Sequence, residues 1–259
     1  MHTDRNNRCL IIPDIHQNHV FLKTVLERED PNTFSDIVLL GDFIDAKDQL
    51  YNHPAALDKT LSLVAQLMEE HEEKIEILLG NHDVIYYYMQ EVGRGSPLAR
   101  SVLMNYYGLP DREILGICSK EMFQGIWRKV QSATLKHNYL VSHAGVSADF
   151  WDPRLDAKQN IIKLNAHLSR VFDIDHEPQP FFRAGYTRGG DMPRGGPLWL
   201  DWNLEFEDEL PIPQVVGHTA GTVWRQKGRS YCLDARQSCY AVIDEEGLHP
   251  HCLEADSED

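Results

Sequence analysis

No run in the 259 residues approaches the ~20 consecutive apolar positions that a membrane-spanning helix needs. The first apolar run, Cys9 to Pro13, is too short for a signal-peptide core, so the chain reads as cytoplasmic. Cysteine is scarce: five residues, Cys9, Cys118, Cys232, Cys239 and Cys252, an odd number with no CxxC pair. That argues against a zinc knuckle or a disulfide framework and for thiols that are buried or merely present. Positive charge is also short, with 25 Lys and Arg against 40 Asp and Glu and a net charge of −15. Such a chain does not hold bulk nucleic acid by general phosphate attraction, which relies on Lys and Arg. It suits a protein that gathers divalent cations.

What the sequence does contain is a series of short apolar runs, each closed by polar residues. They are "CLII" (9–12), "DIVLL" (36–40), "IEILL" (75–79), "YLVS" (139–142), "QVV" (214–216), "YCL" (231–233) and "CYAVI" (239–243). Their length and β-branching predict strands, several of them buried on both faces. Helical spacing lies between them. Leu57, Leu61, Val64 and Met68 form one apolar face on a helix from about Pro54 to Glu73, and Ile161, Leu164, Leu168 and Val171 form another. Val20 to Glu29 is a shorter helix. The alternation predicts an α/β fold. Residues 1–253 form one domain, with a helical insertion at about 84–132 and a solvated acidic tail, "EADSED", over 254–259. The Pro- and Gly-rich stretch 176–197 reads as a long loop, a kind of segment that often carries function. Tyr86, Tyr87 and Tyr88 read as packing residues, as do Trp199 and Trp202; "HPHC" (249–252) reads as a solvated C-terminal segment.

The chemistry gathers where the strands stop. "PDIHQN" supplies Asp14 and His16, "GDFID" Asp42 and Asp45, and "GNHD" Asn81, His82 and Asp83; "HAG" and "GHT" supply His143 and His218. In open α/β sheets, sites form beyond the carboxyl ends of strands. Any one of these residues alone would be an ordinary cap or a hydrogen-bonded histidine. Five strand ends of this kind predict one cleft. Carboxylate, imidazole and side-chain amide without thiolate suit divalent ions, Mn²⁺ first with Fe or Zn²⁺ as alternatives. The set is too large for one open ion and suits two that share a carboxylate.

The ordered motifs "DIH", "GDFID", "GNHD", "HAG" and "GHT", with "PLWLDW" (197–202), resemble the calcineurin-like metallophosphoesterase superfamily over Cys9 to about Ile243. Within it they are most similar to the branch of serine/threonine protein phosphatases and bacterial diadenosine tetraphosphatases. The resemblance implies an α/β/β/α sandwich of two central mixed sheets flanked by helices. It implies Asp14 and His16 on the first metal, Asp42 bridging both, and Asn81, His143 and His218 on the second. It implies His82 as a general acid oriented by Asp45. The expected activity is hydrolysis of a phosphoprotein, a dinucleoside polyphosphate or a small phosphomonoester by a metal-bridging hydroxide. A non-catalytic metal-binding scaffold that recruits a partner is the alternative; keeping both Asp45 and His82 favours the enzyme.

The chain departs from that pattern at several positions. Gln17 stands where a glycine is usual, Ala46-Lys47 where the protein phosphatases carry Arg-Gly, and Ala220 where many members have a further histidine. The missing arginine implies another cation for the phosphate. Arg183 and Arg194 of the long loop are the expected sources, with Arg188 and Lys47 behind them.

Overall fold

Side chains alternate along the first strand, and that alternation builds the layers. The computed structural model describes residues 7–91, 97–169 and 178–253. In β1 (Cys9–Ile12), Leu10 and Ile12 face helices α1 (His19–Arg28) and α2 (Pro54–Glu70), while Cys9 and Ile11 face a second sheet. Both faces of the strand are buried, which is why its sequence is continuously apolar.

The first sheet has the order β11-β10-β1-β2-β3-β4: β2 (Asp36–Leu39) and β3 (Ile75–Leu78) run parallel to β1, and β4 is Val130–Gln131. Its other edge is antiparallel, formed by β10 (Cys239–Asp244) and β11 (Gly247–Cys252). The second sheet has the order β5-β6-β7-β9-β8, from β5 (Ala133–Lys136), β6 (Tyr139–Ser142), β7 (Gln214–Val216), β8 (Arg225–Lys227) and β9 (Ser230–Cys232). Ile11, Val38 and Leu78 of the first sheet meet Val141 and Val215 of the second. Outside the second sheet lie α7 (Ala157–Ala166) and the segment carrying Trp202 and Phe206. The architecture is therefore the expected sandwich of two mixed sheets between helical layers.

The apolar face of α2 is the expected one: Leu57, Leu61, Val64 and Met68 are all buried. Pro54 opens the helix and the His53 ring accepts from Ala56 N (3.1 Å), but it ends at Glu70 rather than Glu73. Between β3 and β4 come α3 (Val84–Glu91), α4 (Pro97–Tyr107), α5 (Arg112–Cys118) and α6 (Gln124–Arg128). The later helix stops at Ala166, where one 3₁₀ turn, His167–Ser169, continues it. Val171, residues 176–177 of the long loop and the tail 254–259 lie outside the described residues.

Two expectations need correction. "HPHC" is not a solvated segment: it belongs to β11, paired residue for residue with β10, and Pro250 is tolerated because β11 is an edge strand. That pairing sets Cys252 opposite Cys239, and the two form a disulfide. Cys9, Cys118 and Cys232 are buried free thiols, as expected.

Candidate metal centre

β1, β2 and β3 are parallel, and β6 and β7 are parallel, so the polar residues that follow them collect along one crest. Backbone bonds stitch that crest across the two sheets. His143 Nδ1 donates to Leu40 O (2.9 Å), and His218 N donates to Asp14 Oδ1 (2.8 Å). The chain turns sharply there: Asp42, His16 and His218 have φ of 50°, 46° and 67°, in the left-handed region that costs a non-glycine residue of order 1–3 kcal/mol. Neighbouring glycines let the loops close. A Cβ at Gly80 would lie 2.1 Å from Asp42 Oδ1, and one at Gly217 would lie 2.0 Å from Asp14 Oδ2.

The ligand atoms of Asp14, His16 and Asp42 lie within 4.8 Å of one another, and so do those of Asp42, His143 and His218. Asp42 belongs to both groups. Asn81 Oδ1 joins the second, 2.9 Å from His143 Nε2 and 2.7 Å from His218 Nδ1. The six residues expected as metal ligands are thus together in one cluster.

The protons of this cluster show what it can accept. Burial pushes the His16, His143 and His218 imidazoles down, so each is neutral. His143 commits its Nδ1 proton to Leu40 O, and His16 commits its own to Ile44 O (3.0 Å). Their Nε2 lone pairs then face Asp42 Oδ2 at 3.6 and 3.5 Å, and that of His143 also faces Asn81 Oδ1. Lone pairs directed at one another repel unless a cation lies between them. Asp14 Oδ2 and His218 Nε2 are buried with no hydrogen-bond partner among the described residues. Burial, then Asp234 and Asp42, push the Asp14 carboxyl well up; burial also pushes Asp42 up, but in acid, where the surrounding histidines take on charge, they outweigh it, His143 foremost, and hold Asp42 well below the carboxylate range. Neutral imidazoles, carboxylates and an amide oxygen fit divalent ions with borderline-hard preference.

His82 behaves differently. Its backbone N donates to Asp42 Oδ1 (2.9 Å), and its ring, edge-to-face with that of His16 at 5.2 Å between centroids, places Nδ1 2.8 Å from Asp45 Oδ2. Burial pushes its imidazole down, yet Asp42 and the Asp45 bond outweigh that and raise it. Lys47 Nζ lies 2.9 Å from Nε2, a place it can hold only while Nε2 is unprotonated.

Two adjoining cavities open here. The larger, about 850 Å³, is lined by His16, Asp42, His218, Lys47, Asp234 and Arg236 among others. The smaller, about 570 Å³, is lined by Asp45, Tyr106, Tyr107 and Asp191 among others. Asn81, His82, Arg188 and Trp199 line both. Among the described residues neither Arg183 nor Arg194 lines either. Arg183 is ion-paired with Asp191; Arg194 pairs with Glu209 (2.9 Å) and lines a separate cavity of about 390 Å³. Arg188, ranked behind them on sequence, reaches the cleft while paired with Asp201 (2.9 Å) and donating to Thr219 Oγ1 (2.8 Å).

Of two further carboxylates, sequence reasoning names Asp83 without a role and passes over Asp234. Asp83 is fully buried and accepts from Phe43 N (3.0 Å) and Gly80 N (3.2 Å), which fastens the second and third motifs together. Asp234 is buried beside Asp14 in the cavity wall. It follows β9 as the other carboxylates follow their strands, a signal present in "YCLDAR". Tyr86 and Tyr88 pack in the core as expected, and so does Trp202, whereas Trp199 lines the cleft.

The sequence profile described as calcineurin-like phosphoesterase matches residues 8–221. No curated protein matches the sequence significantly. Among solved structures, the chain superposes on a cold-active protein-tyrosine phosphatase of a psychrophilic Shewanella species with TM-score 0.61 and 15% identity, over 95% of this chain and 78% of that one. A protein serine/threonine phosphatase from Saccharomyces cerevisiae gives TM-score 0.52 and 16% identity, over 99% of this chain and 82% of that one. At these identities the likeness is one of fold.

Proposed function

Since this chain belongs to the calcineurin-like phosphoesterases and is a phosphoester hydrolase, we propose that it hydrolyses phosphate monoesters with two divalent ions, Mn²⁺ first, held on either side of Asp42. The observation that carries this reading is the pair of ligand groups sharing Asp42, with the His82–Asp45 pair beside them. Asp14 and His16 would hold one ion, and Asn81, His143 and His218 the other. When bound, such ions lower the pKa of a water and offset phosphoryl charge during in-line displacement.

The protein's own groups supply the rest. His82, kept charged by Asp45, donates its Nε2 proton to the leaving-group oxygen. Lys47, now beside Nε2, gives up that place when His82 is protonated and turns to the phosphoryl oxygens. Arg188 faces both cavities and adds a guanidinium to the phosphate. Asp83 holds the Asp42 and Asn81 loops at their spacing.

Asp42→Asn tests the reading directly. Elemental analysis of the variant should find most of the metal gone, and activity on p-nitrophenyl phosphate should fall with it. Retention of two ions per chain by an inactive Asp42→Asn protein, or full activity of a wild type carrying a single ion, would contradict a shared carboxylate.

A further inference from the structure

Resting on the phosphoesterase reading, we propose that the smaller cavity is the leaving-group subsite. It selects phosphate monoesters of neutral, ring-bearing alcohols or phenols over polyphosphates and small alkyl esters.

Position is the first ground. The smaller cavity includes Asn81, His82 and Asp45 but none of Asp14, His16, Asp42, His143 or His218. The oxygen that leaves must lie at His82, which protonates it. The body of the leaving group then extends into the space on that side, and the phosphoryl group stays with the ligand cluster. As the water oxygen forms its bond to phosphorus, the bond from phosphorus to the leaving oxygen breaks. The electron pair stays on that oxygen, which takes the His82 proton; the proton given up by the attacking water returns His82 to its charged state.

The walls are the second ground. Tyr106 and Tyr107, at the end of α4, line the cavity together with Trp199, Ile85 and Ala184. The Tyr107 and Trp199 rings lie 6.5 Å apart with only 23° between their planes. Both tyrosines are fixed before anything binds. Tyr107 OH donates to Phe182 O (2.6 Å), and Tyr106 OH accepts from Ala184 N (3.0 Å). A ring entering such a slot gains apolar burial and aromatic contact while little needs ordering. The volume, about 570 Å³, exceeds that of one phenyl ring and lies in the range of small-molecule sites.

Charge is the third ground. Asp45 and Asp191 line this cavity, and among the described residues Arg188, itself paired with Asp201, is the one Lys or Arg that does. Lys47 and Arg236 line the larger cavity instead. Among the described residues the cations at this cavity are already engaged, His82 by Asp45, Arg188 by Asp201 and Arg183, behind Asp191, by that carboxylate. A leaving group with further phosphates would find no cation left there to pair its charge, which a neutral ring does not need.

The test uses Mn²⁺-loaded full-length protein and two esters whose alcohols differ little in acidity, benzyl and propyl phosphate. Wild type should favour benzyl phosphate by roughly tenfold or more in kcat/KM, since tenfold needs only about 1.4 kcal/mol of the ring's burial. Ala184→Met, which fills the slot, and Tyr106→Leu, which removes a wall, should each cut the benzyl rate by about fivefold or more. The propyl rate should fall less than the benzyl rate in each variant, so that the benzyl preference shrinks. Equal kcat/KM on both esters in wild type, an undiminished benzyl preference in both variants, or a higher kcat/KM on diadenosine tetraphosphate than on benzyl phosphate would overturn the assignment. A phosphotyrosine peptide and phenyl phosphate share the required chemistry; the one with the higher kcat/KM assigns the source of the ring. If no ester is turned over, the phosphoesterase reading fails by itself. Calorimetry with phenylphosphonate and methylphosphonate then decides the cavity: tighter phenylphosphonate sustains it, and equal affinity overturns it.

Discussion

His82 and His143 are both imidazoles in one cleft, and their surroundings send them in opposite directions. His143 is fully buried and gives its Nδ1 proton to a backbone carbonyl, so burial keeps it neutral and its Nε2 can ligate. His82 gives its Nδ1 proton to the Asp45 carboxylate, which favours the charged ring. One is suited to hold a cation and the other to give a proton. His82→Ala should therefore keep its metal and lose activity. The loss should be roughly 10²- to 10⁴-fold on an alkyl phosphate, the usual range for a general acid, and much smaller on p-nitrophenyl phosphate, whose phenolate departs without a proton. Metal analysis beside kcat on both esters checks this. Equal losses on the two esters would remove the acid role, and loss of metal would make His82 a ligand.

At the scale of elements, the crest that carries the cluster is opposed by a latch at the other end of the sheets. Lys136 of β5 reaches across the sandwich to Asp36 at the start of β2 (2.5 Å) and to Glu76 of β3 (2.6 Å). Burial pushes its ammonium down, but the two carboxylates outweigh that and raise it. Asp36 is lowered by its bonds to Lys136 and Ser35 against its own burial. Lys136→Met leaves those carboxylates without their cation and should cost about 1–3 kcal/mol, less than a fully buried pair because the acids are partly exposed. Its contribution is complete below the ordinary lysine pKa and is lost as pH rises through the raised one. The Asp36 part is present above the ordinary carboxylate value and is lost as pH falls through its depressed one. The difference in stability between variant and wild type should thus be flat across neutral pH and shrink at both extremes, with kcat unchanged; urea unfolding at several pH values measures it. β5, like β4, β8 and β11, was not legible in the sequence. β4 has two residues, "RQK" of β8 is polar, and β11 carries a proline on an edge. Their pairing is set by neighbours distant in sequence, as is the meeting of Cys239 with Cys252. The buried strands and the ligands at their ends were legible because an apolar run stopped by Gly-Asp or Gly-Asn is a local signal. The choice among Arg183, Arg188 and Arg194 was not, because it depends on how the 178–197 segment folds back over the crest.

At the scale of the whole molecule, a chain with net charge −15 buries Asp14, Asp42, Asp83 and Asp234 around one point. Without cations this arrangement works against folding at neutral pH. Burial and neighbouring carboxylates raise Asp14, Asp83 and Asp234, so what they contribute is present below the ordinary carboxylate pKa and is lost as pH rises through the raised values. Asp42 runs the other way: its histidines lower it, and its contribution is lost only as pH falls through that depressed value. Three groups against one make the metal-free protein weaker near neutral pH than its core alone would give. Divalent ions reverse this by binding the folded state, because no unfolded chain presents five strand ends together. Each site at a hundredfold excess over its Kd adds about 2.7 kcal/mol, so two add about 5.4 kcal/mol, or roughly 10–20 °C in Tm for a domain of this size. Stripping the protein with a chelator should lower Tm by that order at pH 7, and Mn²⁺ should restore it. At pH 5 the restoration should be smaller, since the proton on Asp14, whose carboxyl burial pushes well up, competes with the ion. Calorimetry at both pH values, with and without Mn²⁺, measures the difference. A Tm indifferent to chelator at pH 7 would mean that the buried carboxylates carry their charge by some other means, and would remove the metal from the account of this fold.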